Sequence, residues 1–478
     1  MDRAQLDRRA FLKTAGVGVL GLLEMSFSHK AAAEPTDKPN IVFILADDLG
    51  RHQLGSYGSR FYETTHIDRL AGEGMRFTDA YAACPVCSPT RASIMTGKYP
   101  ARLHLTDYIP GQAPDDRKLL TPEWTKQLHL EELTIAESLR DAGYATGHFG
   151  KWHLSVDKKY RPGRPGDPGS QGFDDVLTTH KPKAGPKSKY EDDWHHVREI
   201  TERAVAFIAK NKENPFFCYV AHNTIHDPEI EKEALIEKYE RKSGAAAGGR
   251  DNPVQAAMLE TLDKSVATIL AKLDELKLGR KTVVIFFSDN GQKGPKEGLP
   301  FRGSKGDLYE GGIRMPLIVR WPGVVEPGSV CNDVVISTDF FPTLNEIAGV
   351  VREPNDIDGV SLVSLLENPD AKLDRNALYW HFPHYHGAGL GPQGAVRQGR
   401  YKLIEWYEKS MYGEEGALEL YDLENDPGEQ TNLADRMPDL ALELSGKLRS
   451  WRTHVGAQEM KKNAAVARDR PRRQALSQ

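Results

Sequence analysis

The stretch NIVFILADDLG, residues 40–50, is apolar without interruption until it meets two acids and a glycine. PFFCYVAHN at 215–223 and KTVVIFFSDNG at 281–291 repeat the form: an apolar run, then polar residues, then a break. Continuous apolar runs predict strands buried on both faces, as parallel strands are. Between them, LEELTIAESLRDAGY and NPVQAAMLETLDKSVATILAKLDELKLG carry apolar residues at helical spacing. The alternation predicts an α/β fold, with a large, mostly parallel mixed sheet flanked by helices. In such sheets functional groups collect beyond the carboxyl ends of the strands. That gathers Asp47, Asp48, His222, His226, Asp289 and Asn290 on one rim.

The texture changes after about residue 370. ALYWHFPHYH, GAVRQGRYKLIEWY and LELYDLENDPGEQTNLA read as short strands with turns, and PDLALELSGKLRSWRTHV reads as a helix. This predicts a catalytic domain over 38–370 and a smaller α+β subdomain with an antiparallel sheet over 371–457. The basic segment 458–478 reads as a solvated, frayed end. No internal repeat is present.

At the other end, Arg8 and Arg9 precede Phe11, Leu12 and Lys13, then TAGVGVLGLL and three alanines ending at Ala33. This resembles a twin-arginine export signal over 1–33, with a periplasmic or secreted destination and the twin-arginine export machinery as a partner. The apolar run is too short for a membrane span and is soon interrupted by Glu24. The whole chain carries 63 basic and 68 acidic residues; removing five and three of them with the signal moves the net charge from −5 to −7. Nothing in that balance suggests a nucleic-acid partner.

Asp47–Asp48 and Asp289–Asn290 put four oxygen-bearing side chains at two strand ends. Acids brought together without a cation repel and are costly to bury. Oxygen ligands of this kind suit a hard divalent ion, calcium ahead of magnesium if the set is large and irregular. The four cysteines do not make a disulfide framework in so long a chain; Cys218 reads as a buried small hydrophobe and Cys331 is uninformative. Cys84 and Cys87 form a CxxC, but no second ligand pair follows to make a zinc site. In CSPTRASIMTG, Pro89 suits the first turn of a short helix and Gly97 its end. Cys87 then lies at the helix N-terminus, where backbone N–H groups favour negative charge, with Arg91 in reach of an anion.

The pattern CxPxR followed by threonine–glycine resembles that of the formylglycine-dependent sulfatases, arylsulfatase-like members of the alkaline phosphatase superfamily. Cys84 lacks the proline and arginine and does not fit. NIVFILADDLG resembles the family's first metal strand, GHFGKWHL its lysine–histidine segment, SDNG its second metal pair, and FRGSKGDLYEGGIRMPLIVRWPG its pattern around another lysine. The match runs from about residue 38 to 455. It implies an alkaline phosphatase-like fold and a sulfuric ester hydrolase whose Cys87 is converted to formylglycine by a maturation enzyme. Its implied catalytic set is Cys87, Arg91, Lys151, His153, His226 and Lys305, and its calcium ligands are Asp47, Asp48, Cys87, Asp289 and Asn290. The resemblance departs at AHNTIHDPEI, where Ile225 stands in place of the family's usual proline. His222 and His226 therefore both remain open as the catalytic histidine.

The implied chemistry is attack on sulfur by one hydroxyl of a hydrated aldehyde, followed by collapse driven from the other. A metal lowers the diol pKa and polarises the sulfate, the cationic side chains complement the transition-state charge, and His226 protonates the leaving alkoxide. A sulfated saccharide is the expected substrate, with His381, His384, His386 and Arg397 as candidate contacts. Aromatic and polar residues alternating there equally describe a half-buried strand. A phosphonate monoester or phosphodiester hydrolase with the same nucleophile, and an inactive glycan-binding relative, are the alternatives.

Overall fold

Fourteen strands organise the described residues. They are β1 (Asn40–Ala46), β2 (Met75–Tyr81), β3 (Leu119–Leu120), β4 (Ala145–Gly150), β5 (Asp175–Thr178), β6 (Phe216–Ala221), β7 (Thr282–Ser288), β8 (Arg314–Arg320), β9 (Ser329–Ile336), β10 (Leu378–Phe382), β11 (Gln393–Gln398), β12 (Tyr401–Trp406), β13 (Leu418–Asp422) and β14 (Lys461–Lys462). The computed structural model describes residues 38–466 except 184–186, 247–248, 295–298, 351–353 and 355. The expected export signal at 1–33 lies outside the described residues.

Eight strands form one sheet in the order β5-β4-β6-β1-β7-β8-β2-β9. β8 pairs antiparallel with both β7 and β2, and every other pairing is parallel. Every residue of β1, β6 and β7 is buried. The unbroken apolar runs follow from this, because each face is covered by helices. On one face Ile41, Phe43 and Leu45 meet Phe340, Phe341 and Leu344. On the other, Val42, Ile44 and Ala46 meet Met258, Leu262 and Val266 of the long helix Pro253–Glu275. Among the described residues, no helix is long and apolar enough to cross a membrane.

Register decides what the sheet presents. Leu45 pairs with Ala221, Ala46 with Ser288, and Gly150 with Ala221. Four neighbouring parallel strands therefore stop at nearly one level. The residues that follow them, Asp47–Asp48, Lys151, His222 and Asp289–Asn290, leave the sheet side by side.

The antiparallel sheet expected after residue 370 is present, in the order β10-β11-β12-β13. The helix Pro438–His454 covers it through Leu444 and Leu448. Its contact with the first sheet is apolar around Trp380, whose indole N–H donates to the Ala82 carbonyl at 2.8 Å. The contact also buries charge: the fully buried Lys402 ammonium lies 2.7 Å from both Glu310 and Glu429. The segment beginning at 458, expected to fray, starts as ordered chain. Lys461 and Lys462 pair with Leu120 and Leu119, and Asn463 donates to the carbonyls of Asp115 and Arg117. Backbone and side-chain hydrogen bonds hold an end that charge alone would have left in solvent.

Removing one partner of a buried ion cluster costs more than the cluster contributes, because the other charges stay buried. Lys402→Met is expected to lower unfolding stability by about 3–5 kcal/mol in urea titration. An unchanged denaturation midpoint would contradict the placement of this cation.

Candidate functional site

The site starts at a helix whose ten residues, Cys87–Thr96, are all buried. Gly97 closes it with φ of 70°, a left-handed conformation that glycine adopts without strain. Cys87 is the first helical residue and Arg91 lies one turn later. The Arg91 guanidinium donates to Asp289 at 2.9 Å through Nε and to the Lys151 carbonyl at 2.7 Å through Nη1. The helix start is thereby tied to the ends of β7 and β4.

Each carboxylate on the rim has a cation. Lys151 donates to Asp47 at 2.7 Å, and Lys305 donates to the two Asp48 oxygens at 2.6 and 2.8 Å. Asn290 donates to Asp48 at 2.8 Å, and the Asp48 backbone N–H donates to Asp289 at 3.2 Å. Lys305 arrives on the loop after β7, which is pinned by the Gly306 N–H donating to the Pro85 carbonyl at 2.9 Å. This bond joins the Lys305 loop to the segment just before Cys87.

Burial pushes Asp47 up, but Lys151 and its neighbouring cations outweigh it and hold the carboxyl far below its usual range. Burial, with the Asp47 charge, pushes Asp289 up to about 7. Burial also raises the Cys87 thiol, yet Lys151 and Lys305 outweigh it and leave it below its ordinary value. Cys84 has no such neighbours. Its thiol faces the Thr106 carbonyl at 3.9 Å, and burial lifts it well above its ordinary value.

Carbonyl and carboxylate acceptors set the tautomers of the two cleft histidines. His153 Nε2 donates to the Ile109 carbonyl at 2.6 Å, so its bare Nδ1 faces Cys87 Sγ at 3.3 Å. Burial and the Lys151 charge hold His153 well below its ordinary value, as a neutral imidazole. His226 Nδ1 lies 2.8 Å from the Asp227 carbonyl and 2.9 Å from its carboxylate, so this nitrogen carries the proton and Nε2 turns toward Asp48 at 3.7 Å. His222 is elsewhere: fully buried, it meets Ser265 Oγ at 3.1 Å, and burial lowers it to about 3. Four residues of separation thus put one histidine in the core and the other in the cleft.

The donor set fits a divalent cation. Ligand atoms of Asp47, Cys87 and Asp289 lie within 4.8 Å of one another, as do those of Asp47, Asp48 and His226. Asp47 Oδ1 and Asn290 Oδ1 are buried and accept no hydrogen bond. Two orphaned oxygens beside three crowded carboxylates are what a hard cation satisfies. Above them opens a cleft of about 470 Å³ lined by Cys87, Lys151, His153, His226 and Lys305.

Of the four expected saccharide contacts, His386 alone lines this cleft. His381 is buried between the Tyr407 hydroxyl and the Gln458 carbonyl, at 2.7 and 2.8 Å. His384 is fully buried against Thr106 Oγ1 at 2.8 Å. Arg397 is turned inward to Asp79, at 2.7 Å, and to the Tyr81 hydroxyl. These three are corrected to structural residues: β10, the residues just after it and β11 bury side chains that the aromatic–polar alternation left ambiguous. Two groups escaped sequence reasoning. Asp227 orients His226, and adjacency in HDP was its available signal. The Ile109 carbonyl orients His153, and a backbone group leaves no signal in residue type.

Residues 39–350 match the family described as Sulfatase, and 304–454 match the C-terminal part of N-sulphoglucosamine sulphohydrolase. A sulfatase of Formosa agariphila is 31% identical, with 93% of this chain and 94% of the relative covered. An N-acetylgalactosamine-6-O-sulfatase of Bacteroides thetaiotaomicron is 29% identical over 89% of this chain and 95% of its own. A solved Bacteroides thetaiotaomicron structure, described under the metabolism of multiple glycosaminoglycans, superposes with a TM-score of 0.69 at 27% identity. It covers 87% of this chain and 100% of its own.

The thiol environments predict an order of reactivity. In the unmodified, folded chain, iodoacetamide at neutral pH is expected to alkylate Cys87 ahead of Cys84, Cys218 and Cys331, read by peptide mass spectrometry. Burial raises the other three thiols. Earlier modification of Cys84 would contradict the electrostatic reading of the helix start.

Proposed function

The chain belongs to the sulfatase family and is a sulfuric ester hydrolase, and on that premise we propose that it removes sulfate from a sulfated saccharide using Cys87 matured to formylglycine, with calcium bound between the strand tips. The observation that carries this reading is Cys87 Sγ lying 3.3 Å from a neutral His153 Nδ1 while sharing one cluster with Asp47 and Asp289. A saccharide is supported by the N-acetylgalactosamine-6-O-sulfatase relative and by the structure described under glycosaminoglycan metabolism. The maturation enzyme and the export machinery are the implied partners, and the twin-arginine pattern supports a periplasmic or secreted enzyme.

Cys87 is the residue that would carry the matured aldehyde, whose hydrate would supply a nucleophilic hydroxyl and a second hydroxyl for release of sulfate. Calcium would be held by Asp47, Asp48, Asp289, Asn290 and the matured Cys87 side chain, where it would polarise sulfate oxygens. The remaining roles belong to side chains already in position. His153 Nδ1 accepts a proton from the hydroxyl group carried on residue 87, because its other nitrogen is committed to the Ile109 carbonyl. Lys151 and Lys305 lie on the cleft side of Asp47 and Asp48 and offer N–H donors to the equatorial sulfate oxygens. Arg91 sits one layer deeper and keeps the Asp289 carboxylate and the helix start at fixed separation. These preorganised charges stabilise the transition state without reorganising during reaction. His226, oriented by Asp227 through its Nδ1–H, delivers the Nε2 proton of its doubly protonated ring to the departing alkoxide, which a sugar requires more than an activated phenol does.

Two tests follow. Protein co-produced with a formylglycine-generating enzyme should carry the aldehyde on the Cys87 peptide and hydrolyse 4-nitrophenyl sulfate. Cys87→Ala should lower kcat/KM by about a thousandfold or more, as loss of a nucleophile does, while Cys84→Ala stays within about tenfold of the parent. Reversal of those two effects, or faster turnover of an aryl phosphodiester than of the aryl sulfate, would overturn the assignment. Separately, Asp227→Ala should slow an alkyl sulfate about tenfold more than 4-nitrophenyl sulfate. Equal slowing of both would remove Asp227 from the leaving-group side.

A further inference from the structure

The cleft continues outward beyond the catalytic groups, and its outer half has a charge that sulfate-ester hydrolysis alone does not use. Lys158, Lys181 and Lys293 line it there, and Asp227 is the one acid among its described lining residues. Lys181 and Lys293 both turn to that carboxylate, at 3.7 and 3.6 Å. Lys158 is exposed and has no ion-pair partner among the described residues. Two cations therefore share one anion, which is itself hydrogen-bonded to His226 at 2.9 Å, and a third cation lines the same cleft without one.

The position of this surplus matters as much as its sign. Lys151 and Lys305, the cations of the inner cleft, are already engaged by Asp47 and Asp48. The outer lysines stand on the far side of His226: Lys181 Nζ lies 3.5 Å from His226 Nδ1, on the face turned away from Asp48. If His226 protonates the departing oxygen, what lies beside it is the sugar and not the sulfate being removed. Tyr108 and His386, which also line the cleft, form an edge-to-face pair with centroids 5.2 Å apart, a wall suited to a pyranose face. A neutral sugar filling this half would desolvate lysines without replacing their water, which is unfavourable. A sugar carrying its own anion would pair with them.

We propose that the outer cleft is a second anion subsite, in which Lys158, Lys181 and Lys293 hold a sulfate or carboxylate of the saccharide other than the sulfate being cleaved. This rests on the sulfatase reading and on His226 as the leaving-group acid. The preferred substrate is then a polyanionic saccharide bearing at least two negative groups. Lys158 is the free contributor, while Lys181 and Lys293 exchange part of their pairing with Asp227 for the incoming anion.

The test uses the full matured enzyme and three substrates: 4-nitrophenyl sulfate, and a pair of hexosamine 6-sulfates that differ in carrying an N-acetyl or an N-sulfate group. The parent enzyme is expected to favour the N-sulfated sugar. Lys158→Ala and Lys293→Ala are each expected to lower the ratio of kcat/KM for the N-sulfated over the N-acetylated sugar by about tenfold, the loss of one charge-assisted contact, mainly through KM. If both sugars and the aryl sulfate lose rate together, the lysines only steer anions toward the cleft and the subsite is refuted. No preference in the parent enzyme, or an unchanged ratio in both variants, refutes it as well. Failure of the parent on the aryl sulfate itself would instead bring down the sulfatase reading, and this inference with it.

Discussion

Three carboxylates cannot be buried at adjacent strand ends unless something of opposite charge is buried with them. Everything at this site is a consequence of that requirement. Asp47, Asp48 and Asp289 are each almost wholly buried, and Lys151, Lys305 and Arg91 meet them from three separate parts of the chain. The three pairings fix where β4 ends, where the loop after β7 folds back and where the helix Cys87–Thr96 begins. The same cations that draw Asp47 and Asp48 below their usual range also lower the Cys87 thiol. Orphaned oxygens on Asp47 and Asn290 leave room for one more cation. Structure and chemistry are here one electrostatic arrangement.

Much of the fold was legible because its central strands are buried on both faces, and burial writes an unbroken apolar run. NIVFILA, FFCYVA and TVVIFFS each occupy the interior of the sheet. The rim was legible for the same reason, since the polar residues that close each run have nowhere to go but the strand tip. The choice between His222 and His226 was not. It depends on where the chain turns after β6, and both histidines follow the same strand. The second sheet was harder still. His381, His384 and Arg397 look like ligands in a one-dimensional reading, but each is buried and bonded within the protein. Residue type does not report which face of an antiparallel strand is covered. Backbone partners such as the Ile109 carbonyl are beyond residue type altogether.

The second sheet nevertheless shapes the cleft. It is anchored to the first through Trp380 and through Lys402 between two glutamates. That anchorage carries the segment 386–388 to the wall of the cleft. The inner cleft is thus built by strand register in the large sheet, and its outer wall by a segment following β10.

The central claim is that the buried carboxylates form one cation site. Calorimetric titration of calcium into the matured chain tests it most directly. The account predicts saturable binding of one ion per chain that is lost in Asp289→Ala, accompanied by a rise in thermal midpoint in the parent alone. Absence of binding, or binding that survives Asp289→Ala unchanged, would contradict it.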